Sequence, residues 1–179
     1  MSFMSQSGRW KAEPETVSKE LLTELCDINR RIFASIGDMN ETIQLITSNA
    51  QSFTNVKRCT LWLVDPEDDT MLMAKDMNKE DGRDDAFFRV PFSTGIVGWV
   101  ATNKKMVNVD NAYQDDRFTS SIDLKTGYNT ESVLTIPVFA SSNEKAQLIG
   151  VLQLLNDKPI DTSNEFLSVL FAEYAGVAL

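Results

Sequence analysis

An α+β fold is predicted, built on a central antiparallel sheet of about six strands, with terminal helices over one face and a ligand pocket under a helix and loop segment on the other. Three observations predict it. Apolar residues recur at three- and four-residue steps at both ends of the chain. Short apolar, β-branched runs bounded by turn clusters fill the middle. Glycines and small polar residues interrupt those runs at residues 93–100 and 123–130.

Residues 1–14 are polar and are expected to be a disordered segment ahead of one domain at 15–179. From about Glu15 an amphipathic helix is predicted, because Leu21, Leu22, Leu25, Ile28, Ile32, Phe33 and Ile36 share a stripe. Gly37-Asp38 ends it. A second helix is predicted over 39–53, with Ile43, Ile46, Ala50 and Phe53 on one face. Residues 57–64 read as a central strand, Asp65-Pro66-Glu67-Asp68-Asp69 as a turn and 70–75 as the hairpin partner. A charged loop at 78–86 leads to a strand over 87–92, a short helix over 96–102 and a short strand over 106–109. Residues 110–130 read as irregular. A closing hairpin pairs 132–140 with 147–156 around Ser141-Ser142-Asn143-Glu144-Lys145. The last helix is predicted to start at an N-cap Thr162, with Glu165 as the return half of a capping box. Leu167, Leu170 and Phe171 supply its apolar face. No stop signal follows in Gly176-Val177-Ala178-Leu179, so a fragment of a longer multidomain protein is expected.

The formal net charge of −9 repels phosphate backbones and anionic lipid, so neither nucleic acid nor a membrane surface is an expected partner. Apolar runs fall well short of the roughly 20 residues a membrane-spanning helix needs. Histidine is absent, which removes the commonest general base and the usual haem and zinc ligand. The acidic residues cluster at 65–69, 80–85 and 115–116 and read as solvated turns. The two cysteines, Cys26 and Cys59, read as buried apolar residues without disulfide or zinc spacing, which fits a reducing, cytoplasmic compartment. No catalytic residue, metal site or cofactor is expected. Residues 93–100 and 123–130 offer turn-freed backbone N–H groups, an apolar helix start and hydroxyls four apart. That is equipment for holding a small anionic ligand.

The segments Arg58-Cys59-Thr60-Leu61-Trp62-Leu63-Val64-Asp65 and Gly95-Ile96-Val97-Gly98-Trp99-Val100-Ala101 resemble a GAF domain. So do Asn111-Ala112-Tyr113, Arg117-Phe118, Thr126-Gly127-Tyr128-Asn129-Thr130 and Gly150-Val151-Leu152-Gln153-Leu154-Leu155-Asn156. Order and spacing, over roughly residues 20–179, are most similar to the regulatory GAF domains of cyclic nucleotide phosphodiesterases and of cyanobacterial adenylate cyclases. The resemblance implies a cyclic nucleotide lying with its base on the sheet and its phosphate against short helices. Carried over by position, Thr60, Met77 and Asn78 would contact the purine. Ile96 and Val97 would offer backbone N–H groups to the phosphate at a helix N-terminus, with Thr119 as a further backbone donor. Asp123, Thr126 and Thr130 would line the ribose–phosphate side, the two hydroxyls on one turn's spacing if the segment is helical.

Gln153 interrupts an apolar strand and is the sharpest position. A primary amide complements the donor and acceptor of adenine, whereas a carboxylate suits the paired donors of guanine, so cAMP is favoured over cGMP. The family's asparagine–lysine and later acidic signature is altered here to Asn156-Asp157-Lys158 and Ser163-Asn164-Glu165, leaving Lys158 and Glu165 as the candidate substitute ion pair.

Each feature also has a plain reading. Gly95 to Gly98 alone is a helix start packed on a sheet, Thr126-Gly127 a turn, Gln153 a satisfied core amide, and Met71, Met73 and Met77 core filling. The N-terminal stripe either covers the domain's own sheet or pairs with a second copy; a homodimer through the N- and C-terminal helices is expected. Two functions compete: a regulatory cyclic-nucleotide sensor attached to a phosphodiesterase (a hydrolase) or cyclase catalytic domain, and a ligand-free dimerisation or scaffold module. Catalysis by the fragment itself is not expected. Related domains that reduce free methionine sulfoxide use cysteines in the covering segment, and residues 76–130 contain none.

Overall fold

The computed structural model describes residues 18–75, 87–120, 123–124, 127–140 and 147–179, Phe87 by its backbone alone. The expected disordered segment at 1–14, the charged loop at 78–86 and the turn at 141–145 lie outside the described residues.

Helix α1 (Lys19–Ala34) starts at Ser18, whose extended backbone and hydroxyl, accepting from the Leu21 N–H at 3.1 Å, make it the N-cap. The expected start near Glu15 is therefore moved to Lys19. Gly37, at φ +111°, turns the chain into α2 (Met39–Thr54), capped by Asp38 through the Glu41 N–H at 3.0 Å. Asn55 in the left-handed region closes α2.

The next segment forms β1 (Arg58–Asp65) and β2 (Asp68–Lys75), a hairpin tighter than the five-residue turn predicted. The side chain of Asp65 explains the difference. It accepts from the Glu67 N–H at 2.9 Å and from Arg89 Nε at 2.5 Å, making a local turn that lets Asp68 rejoin the ladder. The Glu67 amide first, and Arg89 second, hold its carboxyl below the usual carboxylate range. Strand β3 (Phe87–Pro91), helix α3 (Gly95–Asn103) and strand β4 (Val107–Val109) follow, then a single 3-10 turn at Ala112–Gln114. Strands β5 (Ser132–Phe139) and β6 (Leu148–Asn156) close the sheet, and α4 (Thr162–Ala178) ends the chain.

Thr162 is not the cap of α4. Asp161 is, accepting from the Asn164 N–H at 2.8 Å, where its charge also meets the positive end of the helix. Glu165 instead bonds the Asn108 side chain, and burial pushes its carboxyl above the usual range.

The sheet is wholly antiparallel in the order β3-β2-β1-β6-β5-β4. One face, presenting Leu61, Leu63, Leu134, Ile136, Leu152 and Leu154, packs against α1, α2 and α4. The other, presenting Trp62, Leu72, Val133 and Val151, packs against α3. The predicted stripe of α1 divides: Leu25, Ile28 and Ile32 are buried, whereas Leu22, Phe33 and Ile36 are exposed. The stripe is wider than the strip that one contact with the domain can cover. Cys26 sits on the exposed side, contrary to its expected burial. Cys59 packs partly buried against the helical layer, where burial raises its thiol pKa.

Candidate functional site

Paired residues in an antiparallel sheet face the same side, so the register lays one row across the middle of the α3-covered face. Thr60 on β1, Gln153 on β6, Thr135 on β5 and Val107 on β4 form it. Trp62 stands two residues along from Thr60, on the same face. Its indole Nε1–H donates to Gln153 Oε1 at 3.2 Å. An indole nitrogen only donates, so the contact fixes the amide, oxygen toward Trp62 and Nε2 away from it. Thr135 is completely buried, and its Oγ1 has no hydrogen-bond partner among the described residues. An amide and two hydroxyls thus interrupt a wall otherwise made by Trp62, Val133 and Val151. Tyr128 flanks it, its ring 4.2 Å from the Arg58 guanidinium; desolvation raises the phenol pKa.

A buried hydroxyl without a partner costs stability. Thr135→Val, which keeps the branched shape, is therefore expected to raise the unfolding free energy of the ligand-free protein by about 1–2 kcal/mol. Urea unfolding checks this; a loss of stability would mean that the hydroxyl is satisfied in solution.

Helix α3 is set close to the turn that precedes it. A Cβ on Gly98 would lie 2.4 Å from the Phe92 carbonyl oxygen, so only glycine permits the approach. Gly95, at φ +69°, begins the helix, and the N-cap Thr94 makes no side-chain bond to it. The Gly98 N–H reaches the Thr94 carbonyl at 3.1 Å, which leaves the amides of Ile96 and Val97 in the unclosed first turn, at the positive end of the dipole. Thr119 lies alongside: its Oγ1 is 3.8 Å from where a Cβ on Gly95 would be. Ile96 and Val97 thus open α3, with Thr119 beside its first residue. A surface groove of about 510 Å³ passes this end of α3, lined by Thr94, Gly95, Trp99, Arg117 and Thr119 among others. Arg117 lies over the Trp99 ring at 4.6 Å and grips Asp115 through two bonds, of 2.8 and 2.6 Å. That pairing holds the Asp115 carboxyl below the usual range and largely neutralises the cation.

Asp123 and Thr130 meet each other. The buried carboxylate accepts from the Thr130 N–H at 2.8 Å, the Thr130 hydroxyl at 2.9 Å and the Tyr113 hydroxyl at 3.1 Å. The Gly127 N–H bonds the Asp123 carbonyl at 2.8 Å, and residues 128–131 are not helical. Thr130 itself lies in non-helical chain just before β5, held there by the Asp123 latch. Met77, Asn78 and Thr126 lie outside the described residues.

The substitute ion pair is also replaced. Glu165 takes Asn108, and Lys158 makes no ion pair among the described residues. The corner is closed by backbone acceptors instead: Ser132 Oγ donates to the Lys158 carbonyl at 2.6 Å, and Asn108 Nδ2 to the Ile160 carbonyl at 3.1 Å.

Trp62, Thr135 and Tyr113 are the site-forming residues that sequence reasoning did not single out. Thr135 had a faint signal, a hydroxyl in an apolar strand, but its place beside Gln153 depends on a register that no local pattern specifies.

The described residues contain no group of three or more potential metal ligands, and no described helix is long and apolar enough to cross a membrane. Among proteins of known sequence, the probable 3',5'-cyclic phosphodiesterase pde-5 of Caenorhabditis elegans is 31% identical over 178 residues, covering 92% of this chain and 24% of that protein. The cGMP-specific 3',5'-cyclic phosphodiesterase of Drosophila ananassae is 35% identical over 147 residues, covering 76% of this chain and 12% of that protein. The chain thus spans a quarter or less of the length of these two relatives. Among solved structures, the GAF domain of a phosphoenolpyruvate-protein phosphotransferase from Coxiella burnetii superposes with a TM-score of 0.66 at 16% identity, covering 87% of this chain and 92% of that one. The free methionine-R-sulfoxide reductase of Neisseria meningitidis superposes at 0.57 and 16% identity, covering 92% and 93%. These two likenesses concern the fold alone. The GAF domain profile matches residues 38–179, from the cap of α2 through α4, and with the six-stranded sheet and its two covered faces it shows that this chain belongs to the GAF domain family.

Proposed function

We propose that this domain is a regulatory sensor of a purine 3',5'-cyclic nucleotide and that it acts on an attached catalytic domain of the phosphodiesterase type. The observation that supports this best is the polar row Thr60–Gln153–Thr135 on the face covered by α3. With Ile96, Val97 and Thr119 gathered at the start of α3, the domain has a candidate base contact and a candidate phosphate contact on the same side of the sheet. The phosphate would be held by main-chain amides and the helix dipole, since Arg117 is already paired with Asp115. Ligand binding would bias the helices that flank the domain. The relatives' names add weight to the cyclic-nucleotide reading.

Which purine is read depends on the amide of Gln153. The leaning toward cAMP treats that amide as free to use both halves. Its oxygen is already engaged by Trp62, and the Drosophila relative is named as cGMP-specific. Both nucleotides are therefore candidates, with cGMP to be tested first. Calorimetric titration of the purified domain with each is the test; no heat and no thermal shift at millimolar ligand would reject the reading. Replacing Gln153 by glutamate is expected to shift the ratio of affinities toward cGMP by about tenfold, because a carboxylate accepts from the indole and still meets two guanine donors. An unchanged ratio would place the base elsewhere.

The alternative is a ligand-free dimerisation module, favoured by the exposed Leu22 and Phe33 on α1, Ile36 just beyond it and Val177 on α4. Sedimentation showing a stable dimer that no nucleotide perturbs would support it. We assign no catalytic role to the domain. The reductase that shares its fold does so at 16% identity, and the covering segment of this chain has no cysteine.

A further inference from the structure

We infer that Trp62 sets which purine the site accepts, by fixing the orientation of the Gln153 amide. The inference rests on the proposed nucleotide site and deepens it. On the Watson–Crick edge adenine presents a donor at position 6 and an acceptor at N1, while guanine presents an acceptor at position 6 and a donor at N1. For one pose of the base, the two purines therefore demand opposite orientations of a primary amide. A free glutamine turns to suit either. Gln153 is not free: its Oε1 accepts the Trp62 indole N–H at 3.2 Å, and the reverse orientation would set two donors against each other.

The surroundings keep Trp62 in place. Its side chain is buried, at 5% exposure, among Leu72, Val97 and Val151, and its backbone pairs with Val151 in the strand next to β1. Thr60 and Thr135, the polar neighbours of Gln153 in the row, carry hydroxyls that can both donate and accept, so they tolerate either orientation and select neither. Trp62 is thus a positioning residue. It acts on the ligand through Gln153, and its removal alters preference more than affinity.

The test is Trp62→Phe, which keeps an aromatic ring and deletes the donor, with dissociation constants for cAMP and cGMP measured by calorimetry on wild type and variant. The ratio of the two constants is expected to move toward unity by about fivefold, the worth of one neutral hydrogen bond, while the tighter of the two constants changes less. Wild-type binding with an unchanged ratio in the variant overturns the role of Trp62 and leaves the nucleotide site standing. Failure of the wild type to bind either nucleotide overturns both. Should the variant not fold, the indole N–H resonance of Trp62 in wild-type protein is followed during titration with each nucleotide. A hydrogen-bonded, exchange-protected signal in the complex with the preferred nucleotide supports the inference, and loss of that protection overturns it.

Discussion

Replacing Phe171 by alanine is expected to lower the unfolding free energy by about 3–5 kcal/mol. The side chain is completely buried and is the largest such residue in the layer between the sheet and the helices. Its ring meets Phe53 of α2 at 5.8 Å and Tyr174 of its own helix at 5.9 Å, edge-on in the second case. Truncation removes the transfer free energy of the ring and both aromatic contacts, and leaves a cavity between elements that cannot collapse without moving α4 off β5. Against a typical total of about 5–15 kcal/mol for a single domain, the loss brings the protein close to the folding threshold. Urea unfolding followed by circular dichroism measures it, and a loss below about 1 kcal/mol would contradict this packing of the helical layer. The candidate site lies on the opposite face, so whatever fraction stays folded is expected to bind nucleotide with nearly unchanged affinity.

Asp123→Ala is expected to do the reverse, with a smaller loss of stability and a larger loss of function. Three donors converge on that buried carboxylate, and one of them is a backbone N–H. Without it the Thr130 amide and hydroxyl are stranded where the side chain of Thr130 has no access to water. Unmaking bonds to a charged acceptor costs about 2–4 kcal/mol here, allowing for partial rearrangement. Asp123→Asn retains one acceptor oxygen and is expected to lose about half as much. Because the latch joins the turn at Asp123 to the entry of β5, its loss frees the segment that flanks the polar row, and nucleotide affinity is expected to fall at least about tenfold. Hydrogen exchange at the Thr130 amide reads the latch directly: protection retained in the alanine variant would show that another acceptor holds it. The two variants separate the faces of the sheet, since Phe171 reports on its support and Asp123 on the proposed ligand side.

The outline of the fold was legible because it rests on local patterns. The short apolar, β-branched runs of β1, β5 and β6, the three- and four-residue spacing of Leu25, Ile28 and Ile32, and the break at Gly37 each imply their element without knowledge of any other. Errors gathered at helix ends and turns. Ser18 and Asp161 displaced the expected starts because several nearby polar side chains can cap, and which one does depends on how the incoming chain is directed. Asp65 shortened the hairpin because its partner Arg89 arrives from a strand about two dozen residues away. Cys26 illustrates the same limit on burial: it lies beside the apolar stripe, but only the packing of α2 and α4 decides which edge of the helix is covered.

Of the site, the sequence by itself determined the residue types: an amide in an apolar strand, glycines at the start of a short helix, and an acid a few residues before two threonines. Tertiary structure alone decided whom they face. Gln153 gained Trp62 from 91 positions away, Asp123 turned inward to Thr130, and Lys158 and Glu165 went unpaired with each other. The physical reason is that a side chain's propensity to bury or turn is local, whereas hydrogen bonding requires both partners to be brought within about 3 Å by register and packing, which chain order does not encode locally.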